Sequence, residues 1–102
     1  MITWVRTADV RDGKNIEATQ WALKAAAYVN EKYNLNISVQ TNVAGQLNQL
    51  HWVVTHDSLA NYEVVSMKIF EDTGYQQLAK EAVEQELFFG VSISDSLYRT
   101  IG

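Results

Sequence analysis

Two hydrophobic periods alternate along this chain. From Ile2 to Asp9 large apolar residues, Trp4 and Val5 among them, sit beside β-branched neighbours, and D-V-R-D-G-K then breaks the run, which predicts a first strand and a turn. Between about Lys14 and Tyr33 the period changes to that of a helix: Ala18, Ala22, Ala25, Val29 and Tyr33 recur on one side, while Glu17, Gln20, Lys24 and Glu31 gather on another arc. The alanine stripe predicts close approach to a sheet. Asn34-Leu35-Asn36 closes the helix, and Ile37, Val39, Thr41 and Val43 then alternate with Ser38, Gln40 and Asn42 as a second strand. Ala44-Gly45-Gln46 gives a short connection to a third strand over Leu47 to His56, so these two strands form a hairpin.

Asp57 or Ser58 caps the next helix, which begins at about Leu59 with Leu59, Tyr62, Val65 or Ser66, and Ile69 in step. Asp72-Thr73-Gly74 interrupts it, and a further helical segment covers about Tyr75 to Glu86. Leu87 to Ile93, with two phenylalanines and two β-branched residues, reads as the fourth strand, and S-D-S-L-Y-R-T-I-G remains as a short arm able to pair at an edge. The order β-α-β-β-α-β predicts an α+β, ferredoxin-like fold: a four-stranded antiparallel sheet with helices on one face. The opposite face carries apolar residues in this reading, because Phe88 and Phe89 point to opposite sides of strand four, as Trp4 and Val5 do in strand one. Burying that face against a second copy predicts a twofold homodimer.

The 102 residues, 47% of them hydrophobic, suffice for one core, and neither proline-rich nor low-complexity sequence divides the chain, so residues 1–102 are expected to form one domain. A formal charge of -4 is the wrong sign for phosphate backbones or anionic lipid, which argues against nucleic acid and membrane partners. The absence of cysteine excludes disulfides, thiolate metal sites and cysteine nucleophiles. No signal segment or membrane span is apparent, and a cytoplasmic location is the expectation. The two histidines lie five apart on opposite faces of a strand with no third ligand in step, so no metal site is expected. No phosphate-binding glycine loop, nucleophile elbow or other cofactor motif occurs, so no cofactor is expected. The acidic runs E-D-T-G and K-E-A-V-E-Q-E read as solvated helix faces.

The chemistry-bearing residues concentrate in L-N-Q-L-H-W-V-V-T-H-D-S, and strand alternation sorts them. Asn48, Leu50, Trp52, Val54 and His56 share one side, and Leu47, Gln49, His51, Val53 and Thr55 share the other. The first set is the more apolar at its centre and is expected to face the helices. His51 then belongs to the dimer interface, seeking a carboxylate or carbonyl across the twofold. Trp52 reads first as core and second as a pocket wall for an aromatic ligand. Asn48 is placed either to orient a ligand carbonyl or to satisfy the backbone near the hairpin. His56, at the start of a helix, is a capping or surface residue, or else a ligand contact where an anion could bind. Arg6, in phase with Ile2, Trp4 and Ala8, must pair with an acid or meet a carboxylate ligand. Tyr28, Tyr62 and Tyr75 are the helix phenols able to reach between sheet and helices.

The segment G-x-x-N-x-x-H-W-V-V-x-x-D-S-L-A-x-Y-E, Gly45 to Glu63, resembles the dimeric α/β-barrel superfamily, in particular its NIPSNAP-like and antibiotic-biosynthesis-monooxygenase-like members. The resemblance implies that two sheets close into a shared barrel, with a pocket in each protomer between sheet and helices. It implies an activity less directly, since members include cofactor-free oxygenases, haem-degrading enzymes and isomerases. Some of the monooxygenases use an asparagine, a tryptophan and a histidine; Asn48 and Trp52 supply the first two residue types, and His51 or His56 the third. The expectation is a homodimeric protein with a small apolar or aromatic ligand, held by residues drawn from Asn48, Trp52, His56, Arg6 and Tyr62, with cofactor-independent oxygenation of an aromatic or polyketide-like compound as its possible activity. The alternative is a non-enzymatic dimeric interaction or stress-associated module.

Overall fold

The computed structural model describes residues 1–102. Strand β1 (Ile2–Asp9) leads through a turn into helix α1 (Asn15–Tyr33), followed by strands β2 (Ser38–Thr41) and β3 (Gln49–His56). Helices α2 (Leu59–Glu71) and α3 (Thr73–Glu84) come next, then a single 3-10 turn at Gly90–Ser92, and strand β4 (Ser94–Arg99). The sheet order is β2-β3-β1-β4, antiparallel throughout, as in the ferredoxin-like α+β fold.

Helix α1 buries the small-residue stripe that its sequence announces. Ala18, Ala22, Ala25, Ala26 and Val29 are buried on the face that the helix turns to the sheet and to α3. Ala8, Leu50 and Trp52 meet it from the sheet. Three aromatic rings close this core edge to face: Trp21 with Trp52 at 6.3 Å, Trp21 with Phe88 at 5.6 Å, and Trp52 with Phe88 at 5.7 Å between centroids. Such pairs contribute about 0.5–1.5 kcal/mol each beyond the area they bury. Trp21 also donates its indole N–H to the carbonyl of Leu78 at 2.9 Å, which ties α1 to α3.

The fourth strand is displaced from the position its sequence predicts. Leu87 to Ile93 is not a strand: Glu86 turns the chain in the left-handed region at φ 54°, Leu87 is fully buried, and Phe88 makes only an isolated bridge with Val10. The chain then leaves the sheet through the 3-10 turn and rejoins it as β4, where Ser94 faces Thr7. Between the Val10–Phe88 bridge and the Thr7–Ser94 pair, β1 uses two residues and its neighbour uses five. The surplus is absorbed by the turn, whose Ser92 hydroxyl accepts from the Asp9 N–H at 2.9 Å and donates to the Phe89 carbonyl at 2.6 Å. The leftover polar arm is thus the edge strand itself.

That displacement alters the sheet face turned away from the helices. The face carries Thr3, Val5, Thr7 and Asp9 from β1, Gln49, His51, Val53 and Thr55 from β3, and Ser94, Ser96 and Tyr98 from β4. Phe88 and Phe89 are not part of any strand, so the apolar second face inferred from them is absent, and the face is mostly hydroxyl and amide.

The acidic run before α3 is not a solvated helix face throughout. Asp72 is no solvated residue; it is 5% exposed and joins three helical segments. Its carboxylate accepts from the hydroxyls of Tyr28 at 2.7 Å and Tyr33 at 2.5 Å, and from the Tyr75 N–H at 2.8 Å as the N-cap of α3. Lys32 pairs with it at 2.5 Å. The Lys32 and Tyr33 hydrogen bonds lead in holding the Asp72 carboxyl far below the ordinary carboxylate range. In return Asp72 raises both Lys32 and Tyr33.

Candidate functional site

Between the sheet and helices α2 and α3 lies a cavity of about 360 Å³, in the size range of small-molecule sites. Twenty of its 25 lining residues are hydrophobic. It exists because α2 stands off the sheet: none of its residues is buried, and it turns Tyr62, Val65, Ser66 and Ile69 toward the space below. Ser58 starts this helix by accepting from the Asn61 N–H at 3.0 Å, and the Asp72 cluster fixes its far end, where the Tyr33 hydroxyl lies 3.3 Å from the Lys68 carbonyl. The helix is therefore held at its two ends above an unfilled centre.

The sheet supplies the floor. Strand β3 runs without a bulge, with Leu50, Trp52, Val54 and His56 buried and the intervening residues more exposed, as strand alternation requires. Trp4, Arg6, Ala8, Trp52, Val54 and His56 all line the cavity. Of the residues marked by the sequence, Arg6, Trp52, His56 and Tyr62 are thereby brought together, and Tyr75 joins them from α3.

Asn48 is not among them. It precedes β3, accepts the Val10 N–H on its carbonyl at 2.8 Å, and meets Asn15 side chain to side chain at 3.4 Å, at the end of the sheet beside the start of α1. Tyr28 also stands outside the cavity, because its hydroxyl is committed to Asp72. His51 lies on the opposite sheet face as its phase dictates, but the partners it was expected to find across a twofold are in its own chain. Its Nδ1 bonds Thr7 Oγ1 at 2.8 Å, and its Nε2 bonds Asn42 Oδ1 in a short contact.

Arg6 resolves the choice between ion pair and ligand contact in favour of an ion pair inside the cavity wall. Its Nε and Nη2 reach the two oxygens of Asp95 at 2.7 and 2.9 Å, a bidentate fork across neighbouring strands. Its Nη1 reaches the Tyr75 hydroxyl at 3.4 Å, and the guanidinium lies 5.2 Å from the Trp4 ring centroid. The Asp95 hydrogen bond raises Arg6 above its ordinary value against the opposing effect of burial. Burial pushes the Asp95 carboxyl up, but the Arg6 hydrogen bonds and charge outweigh it and leave it below the usual range. Asp95 is a lining residue that sequence reading missed, since it sits in the arm left outside the sheet. The signal was the unpaired Arg6, which needs an acid in step on a neighbouring strand.

His56 is the other polar group of the wall. It is 7% exposed, its ring lies edge-on to Tyr62 with centroids 5.5 Å apart, and its Nδ1 is buried with no hydrogen-bond partner. An unpartnered buried nitrogen is uncommon in native proteins, where such groups are normally satisfied.

Fold and cavity together define an α+β, ferredoxin-like protein with a chamber between its sheet and its helices. The NIPSNAP family model matches residues 4–90, and the chain belongs to the NIPSNAP family. Solved structures share the fold at low identity. An uncharacterized NIPSNAP domain protein from Burkholderia xenovorans superposes with a TM-score of 0.82 at 15% identity, over 99% of this chain and 95% of that one. A putative antibiotic biosynthesis monooxygenase from Deinococcus radiodurans gives 0.74 at 11% identity, over 100% and 94%. A mutant of SnoaB, a cofactor-independent oxygenase from Streptomyces nogalater, gives 0.70 at 12% identity, over 97% and 91%. No curated protein matches the sequence. No helix of the chain is long and apolar enough to cross a membrane.

Proposed function

We propose that the protein binds a small, largely apolar or aromatic molecule in the cavity between the sheet and helices α2 and α3. The carrying observation is the cavity itself: about 360 Å³ lined mainly by apolar side chains, with a few polar groups converging on it from β1, β3, α3 and β4. A module whose only task is assembly has no need to hold α2 away from its core. Filling the space tests the reading. Ala79→Phe and Val65→Trp place bulk into the chamber from α3 and α2, and each should abolish binding of aromatic probes followed by tryptophan fluorescence. A ligand at one hundred times its Kd should stabilise the wild type by about 2.7 kcal/mol, which thermal unfolding reads directly. Retained binding in both folded variants would place the ligand elsewhere.

Cofactor-independent oxygenation is the form of activity this reading favours, supported by the fold shared with SnoaB and by an imidazole, a guanidinium and phenols bordering one apolar chamber. Oxygen uptake dependent on a bound aromatic compound, and lost in Ala79→Phe, is the expected observation. Assembly into a homodimer through the sheet face opposite the helices is proposed with it. Its support is the dimeric barrel that the Gly45 to Glu63 segment resembles, with Val5 and Val53 paired at the centre of that face. Light scattering at micromolar concentration should give twice the chain mass, and the chain mass alone would remove the barrel.

A further inference from the structure

The unpartnered ring of His56 says what kind of ligand the cavity selects. A neutral imidazole carries one N–H, on either nitrogen. A buried N–H without an acceptor is the rarer and costlier arrangement, whereas a buried lone pair without a donor is better tolerated. Since Nδ1 is sealed and has no partner, the proton belongs on Nε2, the nitrogen left to solvent and ligand.

The other polar groups have the same sense. The Tyr75 hydroxyl accepts from Arg6, so its own proton is available to donate. Arg6 spends three of its five N–H groups on Asp95 and Tyr75, which leaves two. The only carboxylate lining the cavity, Asp95, is already bound by Arg6 and cancels its charge. The strand register sets the two donor ends apart: Ile2 faces His56 and Arg6 faces Trp52, four residues along, or about 13 Å at strand spacing.

We propose that His56 is held as the Nε2–H tautomer and donates a hydrogen bond to a carbonyl oxygen of the ligand, so that the cavity selects neutral aromatic carbonyl compounds over hydrocarbons of the same shape. This rests on the reading of the cavity as a ligand site. The test compares 2-acetylnaphthalene with 2-isopropenylnaphthalene, in which a methylene replaces the oxygen, by quenching of tryptophan fluorescence. The wild type should bind the ketone roughly three- to tenfold more tightly, the worth of one neutral hydrogen bond. His56→Phe should erase the difference by weakening the ketone alone, and His56→Gln, which keeps an N–H donor, should restore part of it. Equal binding in the wild type, or a preference that survives in His56→Phe, would overturn the assignment while leaving the cavity a binding site. Binding of neither compound would overturn both. Long-range nitrogen-proton NMR supplies a readout without ligand: a proton found on Nδ1 would defeat the proposal.

Discussion

Replacing His56 by phenylalanine should stabilise this protein, although most core substitutions destabilise. The ring is 7% exposed, so phenylalanine occupies nearly the same buried space and keeps the edge-on contact with Tyr62. What it removes is the buried Nδ1, which has no partner in the folded chain but is hydrated when the chain unfolds. An unsatisfied buried polar atom costs about 1–3 kcal/mol, and a bare acceptor belongs at the lower end of that range. The substitution should therefore add roughly 1–2 kcal/mol. In a domain of this size each kcal/mol moves Tm by about 4–8 °C, so the midpoint should rise by roughly 5–15 °C. Urea unfolding with an unchanged m value, together with a thermal scan, measures it. A loss of more than about 0.5 kcal/mol would refute the reasoning, because it would mean that Nδ1 accepts a hydrogen bond in solution. The gain in stability accompanied by a loss in ligand discrimination is the trade expected of a residue kept for binding.

Asp72→Asn should flatten the acid limb of the stability profile. The Asp72 carboxyl is held low in the folded chain, so its contribution is complete above the unfolded value of about 4 and is lost as pH falls through the folded one. Lys32 and Tyr33 are raised, so their share persists below about pH 10 and is lost as pH rises through their folded values. Urea midpoints across pH should therefore lose slope below pH 4 in the variant, and an unchanged slope would remove Asp72 as the origin. Gly74→Ala should destabilise even though alanine is favoured over glycine in a helix by about 1 kcal/mol. A β-carbon there would sit 2.7 Å from Tyr28 Cζ and closer still to its hydroxyl, driving the ring from Asp72. Equal or higher stability by urea unfolding would show that Tyr28 yields freely.

Where the fold was legible, the reason was periodicity backed by burial. The alanine stripe of α1 and the alternation of β3 each answer to one buried face, and both appear as read, including the separation of His51 from Trp52 and His56. Strand β4 was not legible, because all six of its residues are exposed and no hydrophobic pattern marks them. Leu87 to Ile93 misled for the converse reason: Leu87 is buried and Phe88 packs on the core, but by capping the end of the sheet rather than by joining it. The cavity floor followed from strand phase. Asn48 failed because β3 begins one residue after it, where alternation no longer governs direction. Asp72 was hidden by its neighbours, since an acid between Glu71 and Thr73 gives no sign of the two tyrosines and the lysine that α1 brings to it.

The Arg6–Asp95 fork joins residues 89 apart in sequence, so one wall of the cavity waits on the slowest kind of contact a chain can make. The same register sets the Thr100 N–H against the Met1 carbonyl at 3.0 Å. A short peptide joining these ends, with the chain reopened at the exposed Ala44-Gly45 connection, would turn β4 and β1 into a hairpin. Such a circular permutant keeps every lining residue while making the fork a local contact. Because the same cut makes β2–β3 the distant pair, the permutant should exchange one slow pairing for another and still bind the same ligands, so that the route to the cavity is separated from the cavity itself.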